Sequence, residues 1–477
     1  MIRSWVSPVV YFSDNILSRI GVLIVTTSTV FWLFLLPTTL RGEAQNPYIG
    51  LLSYLVVPAV FFVGLALIPI GIVLRRRGKR RRGEVPTSFP PLNLQNLQFR
   101  RLLIFVGVVT FLNIMIASQL TYGAVTYMEK ASFCGQTCHV MEPEFTAFQG
   151  SPHSRVECVN CHIGPGASWF VRSKLSGLGQ VVAVALNNYP RPIPTPVHNL
   201  RPARETCETC HWPQKYGEDR LRIFPKYAED EANTLTKTVM LVKVGGGNHG
   251  VGIHGTHLGA GIRIRYGHTD EARQTIPWVE FSDANTGRKT TYAAPGAKLD
   301  GSGTTLREMD CMDCHNRPSH SYQLPERALD DSIYNGAISP ALPFVKKISL
   351  ELVKKPYLSR AEAAIDIPAA FEKRYRESYP AAHAKFQNEI ARSAKGVLAV
   401  YNRNVFPDMN VTWGLYPNNV GHTDFPGCFR CHDEQHVSSD KKTITQDCGA
   451  CHNVLAVDEA EPKILTDLGI EAPKAKP

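Results

Sequence analysis

Three long apolar stretches open the chain, at about Ile20–Leu40, Leu51–Leu74 and Leu102–Val125. Each comes close to the roughly 20 residues that carry a helix across the hydrocarbon core. Three such segments so near one another are hard to bury in a soluble core, and the pattern predicts three transmembrane helices. Pro58, Pro69 and Asn113 interrupt them. Neighbouring helices can satisfy the freed polar groups, which casts Asn113 as interhelical glue, with a quinone contact as the alternative.

Further on, the period shortens. Thr238–Val244 is a β-branched apolar run, Ile262–Tyr266 alternates, and Trp278–Phe281 follows. Asn285-Thr286-Gly287 reads as a hairpin turn before Lys289–Ala293. From Pro356 to Val405 the pattern turns helical, as in Arg360–Ala364 and Lys385–Ala399. The tail Glu471–Pro477 is of low complexity and reads as disordered.

The net charge of +10 is concentrated in one place. Residues 75–101 hold nine basic side chains against Glu84, a local +8. The rest is nearly neutral, which argues against nucleic acid as a partner. Lys and Arg in short loops stay cytoplasmic, so Arg75–Arg82 is expected inside the cell. The N-terminus is then cytoplasmic, the loop near Arg41–Gly50 outside, and the chain beyond about Thr126 periplasmic.

All twelve cysteines pair, and a histidine follows each pair. Five pairs are Cys158/Cys161-His162, Cys207/Cys210-His211, Cys311/Cys314-His315, Cys428/Cys431-His432 and Cys448/Cys451-His452. The remaining pair, Cys134/Cys138-His139, comes first in the chain and is one residue wider; the motifs are numbered one to six in chain order from it. Zinc sites and redox dithiols have no use for a histidine at that position. Covalent haem c does: thiols at i and i+3 share one side of a helical turn, and the next residue reaches the iron. Six haems c are expected, the wider motif adjusting because i and i+4 also share a face.

The motif spacing predicts a membrane-anchored multihaem cytochrome c. A three-helix anchor over 1–127 carries the basic loop 75–101. A three-haem unit over 128–220 and a β-rich insert without cysteine over 221–305 follow. A largely helical one-haem bridging region spans 306–405, and a two-haem unit spans 406–477. Outside the insert the haem-packed domain is expected to be mostly α-helical or irregular.

Each low-spin iron also needs a ligand opposite its motif histidine. His153, His198, His320, His422 and His436 lie within ten residues of a motif and are the first candidates, with His249, His254, His257 and His383 competing. His249, His254 and His257 follow Gly245–Gly247, a loop that could approach a haem. Met141 stands two residues after His139. Residues at i and i+2 point apart, so Met141 either packs or displaces His139 as ligand.

The stretch Ser132–Trp212 resembles the NapC/NirT/NrfH quinol dehydrogenases. The resemblance runs through Phe133-Cys134, Cys138-His139-Val140-Met141-Glu142-Pro143-Glu144, Ser151-Pro152-His153-Ser154 and His198-Asn199. The C-terminal run Trp413–Asn418 and Gly421–His432 is similar to larger members with three membrane helices, the inner-membrane cytochromes of metal-respiring bacteria. This resemblance implies a protein of the bacterial inner membrane that oxidises menaquinol or another quinol and passes electrons to periplasmic cytochromes or reductases. It also implies that Met141 ligates the first iron and that Lys174 serves the quinol site. The acid expected near Lys174 is missing from Ser176–Gly179, so Glu142 or Glu144 is expected to take up protons. A terminal reductase with one open iron, or a relay subunit fed by another protein, are the competing functions.

Overall fold

The computed structural model describes residues 8–9, 11–13, 15–40, 55–85, 97–197, 200–212, 217–246, 251–299 and 301–470. The loop 41–50, His198, His249, the tail 471–477 and the side chain of His139 lie outside the described residues. The chain divides into two compact units, Met1–Phe133 and Cys134–Pro477.

Among the described residues the first unit has three long helices, α1 (Ile16–Leu40), α2 (Val57–Arg81) and α3 (Leu97–Met128). Among the described residues one helix, α2, is long and apolar enough to cross a membrane. Small residues bring α1 against α2: a Cβ on Gly64 would meet Ile24 at 2.8 Å, and Ser18 Oγ donates to the Ile68 carbonyl at 3.0 Å. Close backbone approach of this kind holds helices together where lipid removes the hydrophobic drive. The second helix runs past Leu74 through the arginines to Arg81. Basic residues suit a helix C-terminus, where the carbonyl ends carry partial negative charge.

The second unit opens with α4 (Glu142–Gln149) and α5 (Ala167–Ala185). Strands β1 (Arg220–Tyr227) and β2 (Leu235–Val242) pair antiparallel, then α6 (Gly252–Leu258) leads into β3 (Ile262–His268), β4 (Trp278–Asp283), β5 (Arg288–Ala293) and β6 (Thr305–Glu308). The helices α7 (Pro325–Tyr334), α8 (Val345–Lys354), α9 (Arg360–Ser378) and α10 (Gln387–Asn404) follow, with a short helix at Pro380–Lys385 between the last two, and then come β7 (Val437–Ser438) and β8 (His452–Glu459).

The two sheets join segments that lie far apart in the chain. One has the order β1-β2-β8 and the other β6-β3-β4-β5-β7. Each therefore takes a strand from 406–477, and the β-rich stretch is built jointly with the C-terminal haem motifs. Strand β1 escaped the sequence reading because Pro225 breaks its pattern. It sits at a sheet edge, where a missing N–H is tolerated.

The helices from Pro325 to Asn404 enclose an apolar core around Leu329, Ile333, Ile367, Phe371, Tyr375 and Tyr401. In α8, Val345, Ile348 and Val353 are buried at helical spacing. Lys346 Nζ is buried on Asp330 Oδ1 at 2.6 Å, and Asp330 also accepts the Tyr227 N–H at 2.9 Å, fixing β1 to α7. Ile367 is fully buried. Ile367→Val should cost about 0.5–1.5 kcal/mol, read in a circular dichroism melt; a larger loss would mean the site cannot relax.

Candidate haem-binding site

Short helical turns present the cysteine pairs. Cys158–His162, Cys311–Cys314 and Cys448–Cys451 each form a helical turn, and Gly427–Arg430 leads Cys431 out of a 3-10 turn. The wide first motif lies on a π turn, Phe133–Thr137. A π turn takes up one residue more than an α turn, so Cys134 and Cys138 still come to one side. Gly135 permits it: a Cβ there would sit 2.0 Å from the Phe145 ring. Met141 closes the following 3-10 turn, its N–H on the Cys138 carbonyl at 3.0 Å.

Five histidine rings face the motif histidines. His320 faces His162 with ring centres 6.2 Å apart, and His153 faces His211 at 5.9 Å. His254 faces His315 at 6.2 Å, His257 faces His432 at 5.8 Å, and His422 faces His452 at 6.2 Å. Two nitrogen–metal bonds of about 2 Å, plus the reach from each nitrogen to its ring centre, add up to this separation.

Tautomers agree with the spacing. The Nδ1 atoms of His153, His257, His320 and His432 lie on the carbonyls of Pro318, Ile253, Glu144 and Thr445, at 2.7 to 3.2 Å. A carbonyl can only accept, so Nδ1 carries the hydrogen and Nε2 keeps the lone pair a metal needs. Burial holds His162, His254, His257, His315 and His320 below the ordinary imidazole pKa, in the neutral form. The residues present thus fit covalent haem with two axial imidazoles.

His436 does not belong to this set. It is buried with Nδ1 on Asp433 Oδ1 at 2.8 Å and Nε2 on the Ile276 carbonyl at 2.7 Å. Acceptors hold both nitrogens, so neither is left for iron. Its ring ties the chain after motif five to the segment just before β4. The sequence reading ranked His254 and His257 lower; their signal was the glycine run before them.

Consecutive motifs are neighbours in space. Cys134 lies close to Cys158, and Cys207 close to Cys311. Cys161 feels the charge of Cys210, Cys314 that of Cys428, and Cys451 that of Cys428. Motif follows motif in space in the order of the chain.

The acids named for proton uptake both have basic partners. Glu142 pairs with Arg360. Glu144, partly buried, lies 3.7 Å from Arg317 and 3.2 Å from His320 Nδ1, and desolvation pushes its pKa up. Lys174, on α5, lies near enough to Cys134 for its charge to act on that thiol.

The family model for the NapC/NirT cytochrome c family, N-terminal region, matches residues 97–192. The chain is 40% identical over 450 residues to the cytochrome c-type protein ImcH of Geobacter sulfurreducens, a match covering 92% of this chain and 88% of that protein. The chain belongs to the NapC/NirT cytochrome c family. It is also 29% identical over 91 residues to the cytochrome c-type protein NrfH of Wolinella succinogenes, covering 18% of this chain and 51% of NrfH. No solved structure matches. NapC/NirT proteins are membrane-anchored electron carriers with covalent haem c, so attachment at Cys-His motifs is expected of this member.

Proposed function

We propose that this NapC/NirT cytochrome oxidises a membrane quinol and passes the electrons through six covalently bound haems c to periplasmic cytochromes or reductases. The observation that carries the reading is the succession of neighbouring motifs, from Cys134–His139 at the start of the second unit to Cys448–His452 near the C-terminus. The haems supply one-electron chemistry; the protein sets their spacing, ligands and solvent access.

Three helices, Ile16–Leu40, Val57–Arg81 and Leu97–Met128, anchor the chain in the inner membrane, with the arginine run on the cytoplasmic side. His153, His320 and His422 complete the coordination of the third, second and sixth haems. Facing imidazoles at motifs two to six favour electron transfer over a terminal reductase, which needs an open iron. Quinol binds near the first motif, with Lys174 orienting its oxygen. Each quinol gives up two electrons, one at a time, and two protons to the periplasmic side.

The test is a menaquinol analogue added to purified protein with six haems attached by mass. Reduction at the α band is expected. No reduction would overturn the quinol reading and leave a relay fed by another protein.

A further inference from the structure

We propose that one turn of helix α6 carries the distal ligands of two different irons, His254 for motif four and His257 for motif five, making these haems a single structural unit. The inference rests on haem attachment at both motifs, which the family reading supplies.

His254 and His257 stand at i and i+3, so both leave the same side of the helix. Their rings separate to face His315 at 6.2 Å and His432 at 5.8 Å. His257 Nδ1 is held by the Ile253 carbonyl at 2.7 Å, within the same helix, which turns Nε2 outward.

The helix itself is clipped to the end of β2. Ile253 N donates to the Lys243 carbonyl at 2.9 Å and His254 N to the Val244 carbonyl at 2.8 Å. Gly252 starts the helix at φ +73°, and a Cβ there would meet Gly245 Cα at 2.5 Å. Both ligands therefore share one support, and that support has no room for a side chain.

The proximal side of the same pair is tied independently. Arg430, inside motif five, donates from Nη2 to the carbonyl of Asp313, inside motif four, at 2.6 Å. Its Nη1 reaches the Arg273 carbonyl at 2.7 Å, and Asn419 Nδ2 adds a bond to the Asp313 carbonyl at 3.1 Å. With the motif turns joined beneath and the ligands joined above, the two irons cannot shift relative to one another without breaking both ties.

The test compares His254→Ala, His257→Ala and Gly252→Ala in the full-length protein, counting covalent haems by mass and high-spin irons by electron paramagnetic resonance. Each histidine variant should keep all its haems and convert one iron to high spin, which added imidazole returns to low spin. Gly252→Ala should convert two irons together. His436→Ala, with its ring nitrogens already engaged, should convert none. An unchanged low-spin count in either histidine variant, or conversion of a single iron in Gly252→Ala, would overturn the shared-helix assignment. Loss of covalent haem from the unmodified protein would instead sink the attachment reading. If the alanine variants do not accumulate, His257→Met keeps a ligand and should raise the potential of one haem; a redox titration identical to the parent overturns the assignment.

Discussion

Asp313→Ala is expected to destabilise the haem domain by about 3–5 kcal/mol, the cost of breaking a buried ion pair from one side. Asp313 is 2% exposed, and its Oδ1 accepts from Arg307 Nε at 2.7 Å, Arg273 Nη1 at 2.9 Å and the Tyr266 hydroxyl at 2.5 Å. Burial works against the carboxylate, yet the Arg307 hydrogen bond and charge hold its pKa below the usual range. Oδ2 takes the Asp310 N–H at 2.7 Å and closes a capping box over the motif-four turn. Alanine would take the carboxylate from the half-buried Arg273, leave Arg307 paired with Asp310, and open one half of the capping box over the turn that carries Cys311 and Cys314. Asp313→Asn keeps an acceptor and should fall between the two. Equilibrium denaturation of the purified protein measures this; a loss under about 1 kcal/mol for alanine would show that water replaces the carboxylate.

Removing motif four altogether should split the electron path. In Cys311→Ala/Cys314→Ala, five covalent haems are expected by mass. A quinol analogue should then reduce those on motifs one to three and leave those on motifs five and six oxidised over the same interval. The reason lies in the order of contacts. Cys311 lies close to Cys207 on one side, and Arg430 ties motif five to motif four on the other, so motif four is the link between the two groups. Full reduction of the remaining haems at the parent rate would mean that electrons bypass motif four. Dithionite should reduce all five, which separates a broken path from damaged haems.

Particular elements show what could be read in advance. Residues 262–266 and 278–281 alternate because one face of the sheet is buried, as Ile264, Tyr266 and Val279 confirm, and a local period suffices to reveal that. Helix α10 declared itself in the same way, with Ile390, Ala394, Val397 and Tyr401 on its inner face. Strand β8 did not, since it begins at a motif histidine in a stretch that otherwise reads as irregular; its partner β2 lies more than two hundred positions earlier in the chain. Pairing between such distant segments leaves no local trace.

By itself the sequence determined the chemistry: six Cys-His motifs, the first of them irregular, and an apolar N-terminal region with a basic loop. These signals are legible because attachment and membrane insertion depend on neighbouring residues within one or two turns. The tertiary structure decided which histidines face which motifs, in what order the motifs neighbour one another, and that His254 and His257 rather than His436 point at motif histidines. A distal ligand must approach from the far side of a flat ring, about 6 Å from its partner, and a residue close behind the motif in sequence tends to remain on the near side. Only the folding of remote segments onto one another can place it there.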